Sequence, residues 1–440
     1  MKVLILDVYP DRPYRISKDT NGGYGTANDY GDTLIPRMLR FVAKVGLDWP
    51  PLYSVYSAGA LRDAGHEVEY SRKYDGGEYD LCLLPTSIVA HETEIEAARE
   101  VCKAGIPVAA IGPFVNTMPQ PYLDAGAFIV RGEPEMFFHK FSMTPDDVAR
   151  LGPYCSSDKL VDLDDLAYPA WDIVLKNMKS KNRILSFGKK SLPMLATRGC
   201  PYSCANYCVY PLQQGNKVRS RSPEKIVAEM KHWNDTLGVS SFIFRDPVFS
   251  INRKHTMKFC DVLEESGLKV QFLVETHLKN VADDLGQRLY DVGLRTVYVG
   301  IESATEEVMD DAKRFSIELS EEKARIRQLE KIGVNVKTMF IFGFPTDTLE
   351  TCRKTIDFAK ELCTTFSAFS VFTPYPGTPI FAEYADRITT SRYEDFTQWK
   401  LVFEHPKLSS REIRTLLDSG HSEYYSNPRW MIKFIRNLFH

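Results

Sequence analysis

Cys200, Cys204 and Cys208 lie within nine residues of one loop, Thr197-Arg198-Gly199-Cys200-Pro201-Tyr202-Ser203-Cys204-Ala205-Asn206-Tyr207-Cys208. Thiolates are soft ligands, suited to iron–sulfur clusters, zinc or copper(I). A structural zinc site wants a fourth Cys or His at finger-like spacing, and none follows Cys208 until His232. Three thiolates leave one metal position open, which suits a centre that must bind something else. Tyr207 adds an aromatic ring directly before the third cysteine. The other cysteines, Cys82, Cys102, Cys155, Cys260, Cys352 and Cys363, lie on apolar strands or helix faces and read as small buried hydrophobes. Charged residues abutting apolar strands form a second group of candidates, because such a charge is costly unless paired or used. Asp246 and Arg245 follow the run Ser241–Phe244, and Glu302 follows Thr296–Ile301. His277 ends a third run and is a weaker candidate, since a lone histidine is more often hydrogen-bonded structure.

The chain that must position these residues has 440 amino acids, too many for one ordinary core, which suggests two or three domains. Its 44% hydrophobic and 26% charged residues are those of a soluble globular protein. A net charge of −3 gives no electrostatic case for nucleic acid as a partner. No apolar run approaches the roughly 18 residues of a membrane span, so no transmembrane helix is expected. The start, Met1-Lys2-Val3-Leu4-Ile5-Leu6-Asp7, lacks a signal-peptide layout. Clustered thiols without an export signal point to a reducing compartment, and the cytoplasm is the expected location.

Residues 1–140 alternate strand and helix signals: strand Val3–Val8, helix Pro51–Gly65, strands Glu67–Ser71 and Tyr79–Leu84, helix His91–Ala104, then strands Val108–Ile111 and Ala127–Val130. That alternation predicts a doubly wound, mostly parallel sheet with ligands beyond the carboxyl ends of its strands. A long insert, about Pro10 to Pro50, follows the first strand and carries Asn21-Gly22-Gly23-Tyr24-Gly25-Thr26; it reads as a substrate- or cofactor-contacting loop or as a structural lid. Residues 141–190 read as a connector, with Tyr168 and Trp171 on a strap between domains. Residues 191–383 hold six strand–helix units. Six such units make a partial barrel where eight would close one, and barrel chemistry sits at the carboxyl ends of the strands. Residues 384–440 read as a helical extension whose last stretch has Trp430, Phe434 and Leu438 on one stripe and Arg429, Lys433 and Arg436 off it. Packing against the body is favoured there over membrane-surface binding.

The segment Arg198-Gly199-Cys200-Pro201-Tyr202-Ser203-Cys204 and the later segments resemble the radical S-adenosylmethionine (SAM) enzymes. The family's usual spacing is Cys-x3-Cys-x2-Cys, whereas this chain has Cys-x3-Cys-x3-Cys. The resemblance implies a [4Fe-4S] cluster on Cys200, Cys204 and Cys208, with SAM on the fourth iron. It further implies SAM contacts from Arg245 and Asp246, from the GIES segment Gly300-Ile301-Glu302-Ser303, and from Gly343-Phe344-Pro345. Tyr207 would pack on adenine. Tyr375, in Pro374-Tyr375-Pro376-Gly377-Thr378-Pro379, would wall the barrel mouth, and Glu302, Asp246 and Tyr375 are the catalytic candidates. The first domain resembles the flavodoxin-like, B12-binding (cobalamin-binding) domain that precedes many such barrels. It lacks the Asp-x-His-x-x-Gly motif of other cobalamin proteins, as many radical SAM relatives do, and cobalamin binding stays open.

The radical formed from SAM has two open fates. One is dehydration or rearrangement without cobalamin. The spacing and Asn206-Tyr207-Cys208-Val209-Tyr210-Pro211 resemble dehydratases that act on aminosugar diols in aminoglycoside (antibiotic) biosynthesis, which tilts the reading towards a lyase with a small carbohydrate-like substrate. The other is C-methylation from methylcobalamin. An electron donor such as flavodoxin or ferredoxin and a partner reductase are the expected partners. A zinc-stabilised binding protein without catalysis is the alternative from another class.

Overall fold

Apolar runs early in the chain become strands β1 (Lys2–Leu6), β2 (Glu67–Ser71), β3 (Leu81–Pro85), β4 (Val108–Ile111), β5 (Phe128–Arg131) and β6 (Tyr154–Ser156). They pair in parallel in the order β2-β1-β3-β4-β5-β6. This is the flavodoxin-like doubly wound order, with its switch point between β1 and β3. The computed structural model describes residues 1–45, 49–157, 160–177, 190–281 and 284–438. The sheet runs past residue 140, because β6 belongs to it; at three residues that strand was too short to read in the connector. Much of the expected connector, residues 178–189, lies outside the described residues.

Helix Leu52–Asp63 is buried from Leu52 to Leu61. A helix that shows no polar face must be covered on all sides. The strap after Asp162 crosses it, with Ala170 N donating a hydrogen bond to Val55 O at 3.0 Å. Trp171 of the strap meets Trp49 edge to face, their centroids 5.7 Å apart.

The second sheet is β7 (Ser191–Met194), β8 (Ser241–Phe244), β9 (Gln271–Glu275), β10 (Leu294–Glu302), β11 (Asn335–Phe342) and β12 (Phe366–Val371), all parallel and in sequence order. Among the described residues its two edges do not pair with each other, so the barrel is partial, as the six units predict. Pro193 is tolerated inside β7 because that strand is an edge. Helix Pro223–Leu237 starts at Ser222, whose hydroxyl accepts from Lys225 N, and stops at Gly238 in the left-handed conformation.

The tail forms part of the barrel's outer layer. Helix Ser410–Tyr425 docks on β12, with Tyr424 and Tyr425 hydroxyls each donating at 2.6 Å to the carbonyls of Thr364 and Ser367. Helix Pro428–Leu438 packs through Trp430, whose indole N–H donates to Thr365 O, while Met431, Ile432 and Ile435 stay exposed. Among the described residues no helix is long and apolar enough to cross a membrane.

His421 is fully buried in this layer, with Nδ1 on Leu417 O (2.9 Å) and Nε2 accepting from Phe369 N (3.4 Å). Burial lowers its pKa to about 4. The unfolded state therefore binds the extra proton first, so this contribution to stability is complete above pH ~6.5 and is lost as the pH falls towards 4. The loss amounts to about 3 kcal/mol at pH 4. In urea titrations, the stability gap between the parent protein and His421→Gln should narrow by that amount from pH 7 to pH 4. A constant gap would show that the ring does not titrate in this window.

Candidate active site

The cysteine loop leaves β7 at the carboxyl end of the second sheet. Asp246, just past β8, is fully buried and accepts from the backbone N–H groups of Ala196 and Thr197. Burial pushes its carboxyl up to about 6 against those donors. Both oxygens are engaged in fixing the strand that launches the loop, so Asp246 positions the cysteines instead of standing as a free acid. Gly199 lies at φ +86°, and a Cβ there would meet the backbone carbonyl of Lys217. The loop is thereby pressed against residues 214–217, where Cys200 N donates to Gly215 O at 3.2 Å.

The second three-residue gap between the cysteines is absorbed by a turn of helix, in which Cys208 N donates to Cys204 O at 2.9 Å. That turn brings the Cys208 thiol onto the Cys204 sulfur. The contact, helped by Arg314, holds Cys204 down at about 7 against burial and pushes Cys208 well up. All three cysteines are free thiols. Among the described residues no three His, Cys, Asp or Glu side chains converge as a cage for one ion. A donor set of three thiolates on one short loop, with no fourth, fits a [4Fe-4S] cluster that keeps one iron for another ligand.

Glu302 reaches the same place. β10 shifts register against β11 between Gly300 and Glu302, and Glu302 takes φ +67°, a strained conformation for a residue other than glycine. Arg314 joins the parts: its guanidinium donates to Gly300 O at 3.0 Å and lies 3.4 Å from Glu302 Oε1 and 3.9 Å from Cys204 Sγ. Burial raises the Glu302 pKa while Arg314 opposes it. Tyr207 meets Phe344 and Phe372 edge to face at 5.6 and 5.9 Å, forming an aromatic wall from the loop and the ends of β11 and β12. Gly343 and Phe344 are held in their turn by Asp347 Oδ2, which accepts both N–H groups at 2.9 and 3.0 Å, and Phe344 O is bonded to His405 Nε2. Pro345 follows in that turn, half-buried.

Thus Cys200, Cys204, Cys208, Tyr207, Gly300, Glu302, Gly343 and Phe344 gather at the carboxyl ends of the barrel strands. Other expected residues are engaged elsewhere. Arg245 is ion-paired to Asp19 of the insert at 2.7 Å and to Glu275 at 3.2 Å. The Ser303 hydroxyl accepts from Thr305 N and pairs with Thr355. Tyr375 is buried against Tyr24 of the insert, centroids 5.5 Å apart, so it belongs to an interface and not to an open mouth. His277 accepts from Lys279 N at Nδ1 and lies on Phe315 O through Nε2; burial lowers it to about 4, and it is structural. Sequence reasoning missed Arg314, Asp347 and His405. The basic pair Lys313-Arg314 closing an acidic helix was the available signal for the first.

The two sheets meet with their carboxyl ends facing. Arg198, two residues before Cys200, is buried in contact with both Glu133 and Glu135 from the end of β5, and Arg219 also pairs with Glu133. The insert lies between the sheets, clipped by the antiparallel pairs Ile16–Ala27 and Ser17–Thr26. Tyr24 donates to Pro376 O at 2.9 Å, and Lys18 is buried at the ends of β1 and β3.

Comparison with known proteins agrees with this geometry. Residues 194–359 match the model of the radical SAM superfamily. The chain is 25% identical over 430 residues to an uncharacterized methyltransferase of Pyrococcus horikoshii, covering 89% of this chain and 91% of the relative. It is 26% identical over 392 residues to bacteriochlorophyllide d C-8(2)-methyltransferase of Chlorobaculum tepidum, covering 83% and 84%. The radical SAM methyltransferase TsrM of Kitasatospora setae superposes with a TM-score of 0.61 at 16% identity, covering 88% of this chain and 76% of that one. That protein has also been solved with cobalamin and a [4Fe-4S] cluster bound. At this identity the likeness is one of fold.

Proposed function

We propose that this chain, a radical SAM enzyme, abstracts a hydrogen atom from an unactivated carbon of a small molecule held between the barrel mouth and the insert. The observation that carries the reading is that the short loop bearing all three thiols lies at the barrel end where Arg314 links Cys204 to Glu302 and Tyr207 meets Phe344. Cys200, Cys204 and Cys208 would hold a [4Fe-4S] cluster, which would supply the electron for splitting SAM into methionine and a 5′-deoxyadenosyl radical. The chain's own residues do the positioning. Asp246 and Gly199 fix the loop, Arg314 offers positive charge beside Cys204, and Glu302 presents a carboxylate for a cationic group such as the amino group of SAM. Tyr207, Phe344 and Phe372 offer faces for an aromatic base. The buried wall keeps water from a reactive intermediate. The electron would come from a flavodoxin- or ferredoxin-type donor.

For the fate of the substrate radical, the methyltransferases among the relatives favour C-methylation over the dehydration that the cysteine spacing suggests. The polar groups where the insert meets the barrel, Asp19 on the insert and Glu275, Arg245 and Tyr210 on the barrel, support a hydroxylated or amino-bearing substrate. An isotope label separates the two fates. The reduced, reconstituted enzyme is given SAM deuterated on its methyl group, with a small-molecule extract as substrate source. C-methylation places deuterium on a product carbon. Dehydration leaves the label in methionine and yields a product lighter by one water. Failure to form 5′-deoxyadenosine under any of these conditions would overturn the radical reading itself.

A further inference from the structure

A flavodoxin-like sheet takes its ligand in the crevice at its switch point, here between the carboxyl ends of β1 and β3. In this chain that crevice is filled by the chain itself. Lys18 of the insert is fully buried there. Its ammonium lies 3.0 Å from Asp7 Oδ1 and 2.9 Å from Glu94 Oε1, and donates to Pro85 O at 2.9 Å and Val8 O at 3.3 Å. Pro85 ends β3 and Val8 lies two residues past the end of β1, the two strands that define the switch point. The carboxylates are engaged on their other sides as well: Tyr70 and Tyr9 donate to Asp7, and Tyr122, Ser87 N and Ser87 Oγ donate to Glu94. Burial alone would discharge the lysine, and the two carboxylates outweigh it and keep it charged.

The surrounding surface is closed in the same way. Tyr53 spans the crevice floor to donate to Thr86 O at 2.8 Å, and Ile88 N donates to Tyr24 O at 2.9 Å, joining the insert to the segment after β3. Gly25 sits at φ +86° with the Val89 side chain and Ser17 O where a Cβ would stand, so the insert is pressed onto this segment without a gap. Beside the plug, a cavity between the insert, the end of β5 and the barrel, bordered by Gly22, Tyr53, Glu133, Arg198, Tyr210 and Arg245, measures about 40 Å³. Cofactor pockets run to roughly 300–1,000 Å³, and a corrin needs the upper part of that range.

We propose that the N-terminal domain of this enzyme takes no cobalamin, and that residues 15–27, plugged into the switch point by Lys18, occupy the corrin's place as a built-in lid over the barrel. The proposal rests on the radical SAM reading for the lid's role, although its test does not depend on turnover. Asp19, the next residue, carries the lid to Arg245 at the end of β8. A methyl group could then reach the substrate radical from a second SAM only with one further electron from the flavodoxin- or ferredoxin-type donor, the methyl–sulfur bond breaking as the carbon–carbon bond forms and S-adenosylhomocysteine leaving, whereas dehydration needs no methyl donor.

The test is binding of hydroxocobalamin to the full-length protein, already carrying its cluster. After incubation with excess hydroxocobalamin and desalting, the protein should keep its iron–sulfur absorption, retain essentially no corrin absorption, and show no change in melting temperature when hydroxocobalamin is present. Retention near one corrin per chain, or a rise in melting temperature that scales with its concentration, would overturn the proposal. Lys18→Met leaves Asp7 and Glu94 buried without their cation and should unfold at clearly lower urea than the parent. Unchanged urea stability of Lys18→Met would likewise overturn the plug. Loss of the iron–sulfur band without retained corrin would count against the radical SAM reading and leave the lid standing.

Discussion

Cys204→Ala should lower SAM cleavage by at least ~10³-fold, because removing an interaction on which the reactive centre depends acts on the whole barrier. The folded protein should survive the change, with circular dichroism and urea midpoint close to those of the parent. The loop is held by Asp246, by Gly199 against Lys217, and by the backbone hydrogen bond from Cys200 to Gly215, none of which uses the Cys204 sulfur. Cys200→Ala and Cys208→Ala should behave alike. A structural zinc site predicts the opposite pattern, in which the loop unfolds with the first cysteine lost. Activity measured as 5′-deoxyadenosine formation, beside a urea titration, separates the two.

Arg198→Met should cost about 3–5 kcal/mol, the loss expected when one partner of a buried ion pair is removed and the other is stranded. Arg198 is 3% exposed and faces Glu133 and Glu135, which are 6% and 3% exposed, so two carboxylates would lose their cation in a dry interface. Arg219 still reaches Glu133, which places the larger share of the loss on Glu135. Burial already raises the Glu135 pKa, with Arg198 opposing it. Glu135→Gln in the Arg198→Met background should therefore recover part of the stability, and a double-mutant cycle in urea measures the coupling. Additive losses would show that the pair does not join the two sheets. Because Arg198 lies two residues from Cys200, the single variant should also hold its cluster poorly.

Much of this architecture can be read from local pattern. The alternation of buried runs and capped helices marks both parallel sheets, and the Cys, GIES and Gly-Phe-Pro segments fall at strand ends, where the structure gathers Cys204, Glu302 and Phe344. What sequence could not show depends on residues distant along the chain. Asp246 and Arg245 look alike as charges after an apolar strand. Only the folded chain gives the first to the amides of Ala196 and Thr197 and the second to Asp19. Lys18 reads as one more cation in a polar insert, and its burial is decided by Asp7 after β1 and by Glu94 on the helix His91–Lys103. Strand β6 is three residues long and carries no periodicity to detect. Arg314 comes to Cys204 from 110 positions away.

The central claim is tested most directly by electron paramagnetic resonance of the anaerobically reconstituted, reduced protein, recorded with and without SAM. A reduced [4Fe-4S] signal whose g-values move when SAM is added is expected, since three thiolates leave one iron to take SAM. Absence of a cluster signal, or a signal that SAM leaves unchanged, would contradict the account.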